Sequence, residues 1–225
     1  MTETTATETA PAPRPSAWGP VMRSPAARLH AGLGVRFSAE AGWELPASYG
    51  DPEAERALLR ESVAVADITA RGKIDVRGRI DAALPVGGDG DLVARIVDDW
   101  TMIFTPPGPV ESRVRELEPR AGSGAMVTDV THLYAGFALA GPRLEDLLAR
   151  LTGWDPSTLA AGEATGAPIA EVRAVVVRPD LAFPALEAYV DASFGRYAWG
   201  AILDVVRRLG GGPVGWDALR AEGWA

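Results

Sequence analysis

The side chains able to do chemistry in this chain are few. It contains no cysteine, which excludes disulfides, thiolate catalysis and cysteine-based metal sites. His30 and His132 are the two imidazoles. They lie far apart in sequence, without the i, i+4 spacing of a helical zinc site, so metal catalysis is not expected. His132, next to Thr131, has no visible acid partner and is given no catalytic role. Lys73 is the one lysine among 22 basic residues. It closes the charge run Arg71-Gly72-Lys73, read as a solvated strand start. Asp98-Asp99 reads as a turn, because aspartate nucleates turns through its own backbone contacts.

Aromatic and charged positions leave alternatives open. Trp43 and Tyr49 can stack on a flat ligand or anchor their loop as core residues. Arg220 can bind an anion or pair with Asp217 at i, i+3 on one helix. Trp199, Trp216 and Trp224 cluster near the C-terminus and could form a partner-facing apolar patch; core packing explains Trp199 equally well.

These side chains need elements to hold them. Ser24-Pro25, followed by Ala26, Ala27, Leu29 and Leu33, predicts a capped helix with proline at its first position. Asp51-Pro52-Glu53 opens a second helix in the same way, with Leu58, Leu59 and Val63 as its buried stripe. Residues 73–77 alternate polar and apolar, as a half-buried strand does. Residues 92–97 and 101–104 predict a hairpin about Asp98-Asp99, and 110–117 a short helix. Residues 125–131 and 135–140 read as strands. Pro142 begins a helix carrying Leu144, Leu147, Leu148 and Leu151. Residues 169–177 offer one or two strands, and 186–191 another. Ser193 can cap a long helix with Phe194, Tyr197, Ala198, Ala201, Ile202, Val205 and Leu209 on one face, stopped by Gly210-Gly211-Gly212. No internal repeat is evident.

Composition bounds the function. The chain has 225 residues, 47% hydrophobic, with a net charge of -8. Its mean hydropathy is +0.03. These values describe a soluble globular protein with ample length for a core. An acidic balance argues against nucleic-acid binding. No apolar run is long enough to span a bilayer, so no membrane partner is expected. The first twenty residues are Thr/Glu/Ala/Pro-rich without a signal-peptide core, and read as a disordered tail of a cytoplasmic protein. The Ala/Arg/Gly/Pro bias suggests a high-GC bacterial source.

One block is more particular. Ala41-Gly42-Trp43-Glu44-Leu45-Pro46, followed by Tyr49-Gly50, resembles the AGWxxPxxYG opening of the aminomethyltransferase family, the glycine cleavage T-protein and its folate-binding relatives. The likeness continues through Leu59-Arg60-Glu61-Ser62, Ala66-Asp67-Ile68-Thr69 and Ile74-Asp75-Val76-Arg77-Gly78. It resumes at Gly141-Pro142 and at Gly215-Trp216-Asp217-Ala218-Leu219-Arg220. The resemblance implies an α+β fold of the folate-binding-domain type, with antiparallel sheets, a ferredoxin-like second half and the C-terminal barrel absent. The implied division is a tail at 1–22, a first subdomain at 23–122 and a second at 123–225.

The same resemblance implies tetrahydrofolate as cofactor and one-carbon transfer from an aminomethyl donor as the ancestral reaction. In that family an aspartate holds the folate amine region, where a carboxylate can take a proton or steady a developing cation. It should fall between Gly78 and Asp99, but RIDAALPVGGDGDLVARIVDD is too short for the usual helix and strand pair. A Ser-His pair of the family is Thr69-Ala70 here. Asp67 is then the candidate relocated acid. Glu187 is a candidate pterin acceptor one residue out of register, which on a strand means a change of face unless residues 179–184 absorb it; a solvated strand residue is the competing view. Trp43, Tyr49, Glu187 and Arg220 are the candidate folate contacts, with Arg71-Gly72-Lys73 as a possible cationic rim. Reduced members similar to the gamma subunit of heterotetrameric sarcosine oxidase imply an accessory subunit beside a flavin-dependent amine-oxidising or other partner. The rivals are an active tetrahydrofolate-dependent aminomethyltransferase or demethylase using Asp67 or Glu187, and a ligand-free interaction module.

Overall fold

The computed structural model describes residues 22–78 and 90–224. The expected disordered tail therefore lies outside the described residues, except Met22, which opens a strand. In chain order come β1 (Met22–Arg23), α1 (Ala27–Gly32), β2 (Arg36–Glu40), β3 (Trp43–Ser48), α2 (Pro52–Glu61), β4 (Ala64–Asp67) and β5 (Gly72–Gly78). β6 (Leu92–Val97), β7 (Trp100–Thr105), α3 (Val110–Ala121) and β8 (Ala125–Asp129) follow. The second half holds β9 (Tyr134–Ala140), α4 (Leu144–Leu151), β10 (Ala164–Ile169), β11 (Val172–Val177), β12 (Ala185–Asp191), α5 (Gly195–Arg208), β13 (Gly212–Pro213) and α6 (Trp216–Ala221).

Local chemistry explains most of these boundaries. The Asp51 carboxylate accepts the Glu53 N–H at 3.0 Å and Pro52 takes the first turn of α2, which satisfies an orphan donor with a residue that has none to offer. Leu144, Leu147, Leu148 and Leu151 all bury on one stripe of α4. The β6–β7 hairpin turns at Asp98-Asp99 as expected. The first helix starts later than expected. Ser24 does not cap it: its hydroxyl accepts the Ala26 N–H and is committed to Asp67, so the helix begins at Ala27. Between β10 and β11 the chain reverses at Ala170 and Glu171, both with positive φ (50° and 63°). That is the conformation of a two-residue hairpin turn, reached here without the usual Gly or Asn.

Three sheets form. β1-β3-β2 is a small outer sheet; β10-β11-β12-β9-β4-β13 and β6-β7-β5-β8 are the principal ones. Pairing is antiparallel except for two short parallel pairs, β1 with β3 and β4 with β13, so the sheets are mixed where all-antiparallel sheets were expected. β4 comes from the first half of the chain yet pairs with β9 of the second, so the large sheet crosses the expected boundary at residue 122. Among the described residues no sheet closes into a barrel.

The layers are helix, sheet, sheet, helix. α4 and α5 cover one face of the six-stranded sheet, through Leu147, Trp199 and Ile202 against Leu139 and Val176. The opposite face is rich in alanine, with Ala64, Ala66, Ala138, Ala140 and Ala185. Alternation along each strand separates the two sets, and the small side chains admit Met102, Phe104 and Trp216 from the next layer. α3 closes the far side against Ile74, Val76 and Ile103. Trp199, Trp216 and Trp224 are all core residues, so they form no partner-facing patch; burying large aromatic rings removes much apolar area from water. Among the described residues no helix is long and apolar enough to cross a membrane.

Candidate functional site

The joint between the two principal sheets is the short run from the end of β4 to the start of β5. Asp67, Thr69, Arg71 and Lys73 all lie on it and all are buried. Burying three ionisable groups in seven residues is costly unless each finds partners. Each does, in two networks joined by Thr69 and Lys73.

The first network centres on Asp67. His30 Nε2 lies 2.7 Å from Asp67 Oδ2, which also accepts the Ser24 hydroxyl. Oδ1 accepts the Thr69 N–H at 2.9 Å. The Tyr49 hydroxyl lies 2.8 Å from the other imidazole nitrogen, and His30 packs edge-on to Trp199 with centroids 4.4 Å apart. Burial alone would push the Asp67 carboxyl up. The hydrogen bond and charge of His30, helped by Ser24 and Thr69, outweigh it and hold Asp67 below the usual carboxylate value. Tyr49 is pushed far up by burial and by the nearby Asp67 and Glu55 charges, so it stays a neutral phenol. Trp216 Nε1 donates to the Asp67 carbonyl at 3.0 Å, which ties α6 to the same joint.

The second network centres on Glu187, on β12. Its Oε1 accepts from Arg71 Nη1 at 2.7 Å and from Trp224 Nε1 at 2.8 Å. Its Oε2 accepts the Tyr189 hydroxyl at 2.5 Å. Arg71 also donates to the Gly90 carbonyl at 2.9 Å. Desolvation would lower the Arg71 pKa, but Glu187 with Tyr189 and Asp91 reverses the effect and the guanidinium stays charged. The Tyr189 ring stacks on Phe104 at 4.1 Å. It lies across the neighbouring strand because Gly136 has no side chain: a Cβ there would come within 2.7 Å of the ring.

Lys73 connects the two. It is 0% exposed, and Nζ donates to the Thr69 and Thr131 carbonyls at 2.6 and 3.3 Å. Burial brings its pKa down to about 7, and the Arg71 charge pushes the same way against Asp67, Asp129 and Glu187.

The expected site residues therefore divide. Asp67 and Tyr49 are brought together through His30, to which sequence reasoning gave no role. Glu187 belongs to the second network and is fully buried, not a solvated strand residue; Arg71 compensates it. Arg71 and Lys73 are likewise interior, which corrects the solvated charge run. Trp43 belongs to neither network: it is buried and stacked on His132 at 5.5 Å. Arg220 is exposed, pairs with Glu40 at 2.6 Å and lies over the Trp216 ring. Asp217 pairs instead with Arg36, because β2 crosses α6 and offers both residues partners outside their helix. Glu55 was missed altogether. It is buried, accepts the Ser48 hydroxyl and the Tyr49 N–H at 2.6 Å each, and accepts the Gly215 N–H at 2.6 Å, fixing Tyr49 from behind.

Beside β12 lies a cleft of about 850 Å³, lined by residues that include Trp154, Arg178, Leu181 and Phe183. Its wall includes Pro179, Ala182 and Pro184 as well. Among the described residues no group of three or more His, Asp or Glu is arranged to hold a metal.

No protein-family model matches the chain. Its sequence is 29% identical over 238 residues to the aminomethyltransferase of Parafrankia sp. (strain EAN1pec), covering 91% of this chain and 64% of that protein. It is 27% identical over 233 residues to the aminomethyltransferase of Saccharopolyspora erythraea, covering 89% and 63%. The chain is similar in sequence to these aminomethyltransferases. It spans under two thirds of the length of these two relatives.

Solved structures show the aminomethyltransferase-like fold directly. The glycine cleavage system aminomethyltransferase T of Bartonella henselae superposes with a TM-score of 0.75 at 21% identity, over 90% of this chain and 62% of that one. A chain of the heterotetrameric sarcosine oxidase of Corynebacterium sp. U-96 gives 0.61 at 16% identity, over 84% of this chain and 96% of that one. The expected α+β class and both expected resemblances are thus found.

A folate would have to be held by residues with valences to spare. Asp67 has three internal donors and Glu187 has three, and one face of Trp43 is taken by His132. Neither Asp67 nor any of the four expected contacts lines the cleft beside β12. Room for a flat ligand exists in the 850 Å³ cleft, but its polar groups are not the expected ones.

Proposed function

We infer that this aminomethyltransferase relative is a non-catalytic, accessory subunit of tetrahydrofolate-linked one-carbon or methylamine metabolism, working beside a larger partner such as a flavin-dependent amine-oxidising subunit. One observation carries this reading: both carboxylates that could act on an aminomethyl donor are bound internally. Asp67 is tied to His30, Ser24 and Thr69, and Glu187 to Arg71, Tyr189 and Trp224. A general base must be within hydrogen-bond reach of the proton it takes, and Asp67, held below the usual carboxylate value by its His30, Ser24 and Thr69 hydrogen bonds, is a poor proton acceptor. The 96% coverage of the sarcosine oxidase chain supports the accessory role.

The test is calorimetric titration with tetrahydrofolate and 5-formyltetrahydrofolate, followed by a direct one-carbon transfer assay. The expected result is no transfer above the protein-free blank, with or without folate binding. A flavoprotein subunit captured with the tagged chain would support the partner. Transfer activity that disappears in Asp67→Asn or Glu187→Gln, with the fold intact, would overturn the reading in favour of an active transferase.

A further inference from the structure

An open sheet ends in two edge strands whose outer N–H and C=O groups lack a ladder partner, and proteins guard such edges against pairing with another chain. Among the described residues the three sheets end in β1, β2, β6, β8, β10 and β13, and all but β8 are guarded. β1 and β13 are only two residues long. β2 has a register shift at Arg36-Phe37, and its Arg36 and Glu40 are held by Asp217 and Arg220 of α6. β6 has a register shift between Arg95 and Val97, and β10 carries Pro168; these two edges also lie against each other. β8 has none of these devices. Ala125-Met126-Val127-Thr128-Asp129 pairs with β5 in unbroken register, without proline, lysine or arginine. Its one charge, Asp129, stands at its end, where Oδ1 accepts the Thr131 N–H at 2.9 Å.

The side chains along this edge are also left unfinished on both faces. Ala125 and Val127 belong to the layer under α3, where they and Val114 stay partly buried although Ile74, Val76 and Ile103 beside them are sealed. On the other face Met126 is 64% exposed, more than any other large apolar side chain among the described residues, and Thr128 is exposed. We propose that β8 pairs antiparallel with β8 of a second copy of this chain, about a two-fold axis at Val127, joining the two four-stranded sheets edge to edge. A two-fold contact needs a strand that complements itself, and β8 does. In that register Val127 faces Val127 of the second copy, Met126 faces Thr128, and Ala125 faces Asp129. The two valines then meet on the α3 face, Met126 is covered on the other, and no like charges stand opposite. α3, packed behind β8, exposes both signs, with Glu111 and Glu118 beside Arg115 and Arg120, so two copies of it do not meet as one charge. A strand this short buries less than the roughly 1,200 Å² of a standard stable interface, so the association is weak and reversible. It does not depend on the accessory role proposed above.

Sedimentation equilibrium of the full chain, from about 5 µM to about 500 µM, reads the association directly, with an expected dimer Kd of about 50 µM. Met126→Lys and Thr128→Lys each put an ammonium on the exposed side of the seam, as guarded natural edges do, and should weaken the dimer about tenfold. Tyr197→Lys, exposed and outside β8, should leave it unchanged. The cysteine-free chain allows a second reading. Facing Cβ atoms in such a pair lie roughly 5 Å apart, near the span of a disulfide, so oxidised Val127→Cys should cross-link two copies much faster than Tyr197→Cys. Thermal melts check that every variant folds. A chain that stays monomeric at the highest concentration, or a dimer unchanged by both β8 lysines, would overturn the assignment. Cross-linking of Val127→Cys no faster than that of Tyr197→Cys would do the same.

Discussion

The joint between the sheets and a cleft at their end handle polar chemistry in opposite ways. At the joint, Asp67, Arg71, Lys73 and Glu187 are sealed from water and partnered. At a cleft lined by Trp100, Tyr134 and Phe194, aromatic rings reach the surface beside the exposed Arg173 and Asp191. The first arrangement can hold a fold and has little left to offer a ligand. The second adds little to the fold and has surface to offer. Strongly perturbed ionisable groups are often taken as marks of active sites, and here they mark the seam that fixes two sheets.

The largest effect that would test this contrast is at the Arg71–Glu187 pair. Glu187→Gln leaves a buried guanidinium without a counter-charge and should cost about 3–5 kcal/mol, lowering Tm by roughly 10 °C. The double variant Arg71→Met with Glu187→Leu should recover part of that loss, because it removes both charges. Urea unfolding checks both. A cost for Glu187→Gln below about 1 kcal/mol would mean the carboxylate is held for a ligand and would break the comparison. His30→Ala comes next, at about 2–4 kcal/mol, since it removes the imidazole bonded to Asp67 Oδ2 and empties a space beside Trp199.

Parts of this were open to sequence reasoning and parts were not. The β6–β7 hairpin and the leucine stripe of α4 were legible because their signals are local: turn residues at Asp98-Asp99 and a 3.6-residue period. The aminomethyltransferase likeness carried the class of the fold. The β10–β11 turn was unclear because Ala170 and Glu171 take positive φ without a glycine to announce it. The His30–Asp67 contact spans 37 positions, and no local rule reaches that far. Glu187 did leave a trace. An acid inside Ala185-Leu186-Glu187-Ala188-Tyr189-Val190 interrupts a strand that is otherwise apolar on both faces, as central strands are, and such an acid must be paired. The one lysine in an arginine-rich chain was a second trace. An ammonium can serve two carbonyls in a narrow space where a planar guanidinium with five donors would not fit.

Lys73 sharpens the comparison through pH. Its folded pKa is about 7 against an ordinary value of 10.5. Between those limits the unfolded chain holds a proton there that the folded chain lacks, so unfolding takes one up and stability rises with pH by up to about 1.4 kcal/mol per unit. Below pH 7 both states are protonated and the contribution is flat. Lys73→Met should remove this slope, measured by urea unfolding at pH 6.5, 8 and 9.5. An unchanged slope would show that Lys73 keeps its charge in the fold.

The smallest effect belongs to Arg220, on the surface and remote from both regions. Its ion pair with Glu40 and its position over Trp216 are solvent-accessible, and exposed pairs of this kind stabilise by no more than about 1 kcal/mol. Arg220→Ala should therefore shift Tm by only a few degrees, and the shift should shrink in high salt as the pair is screened. Folate titrations of Arg220→Ala give the contrary signal. If any folate binding by the parent chain were lost while Tm stayed put, Arg220 would be an anion contact and not a surface brace. The division between a sealed joint and an open cleft would then need a further open site on α6.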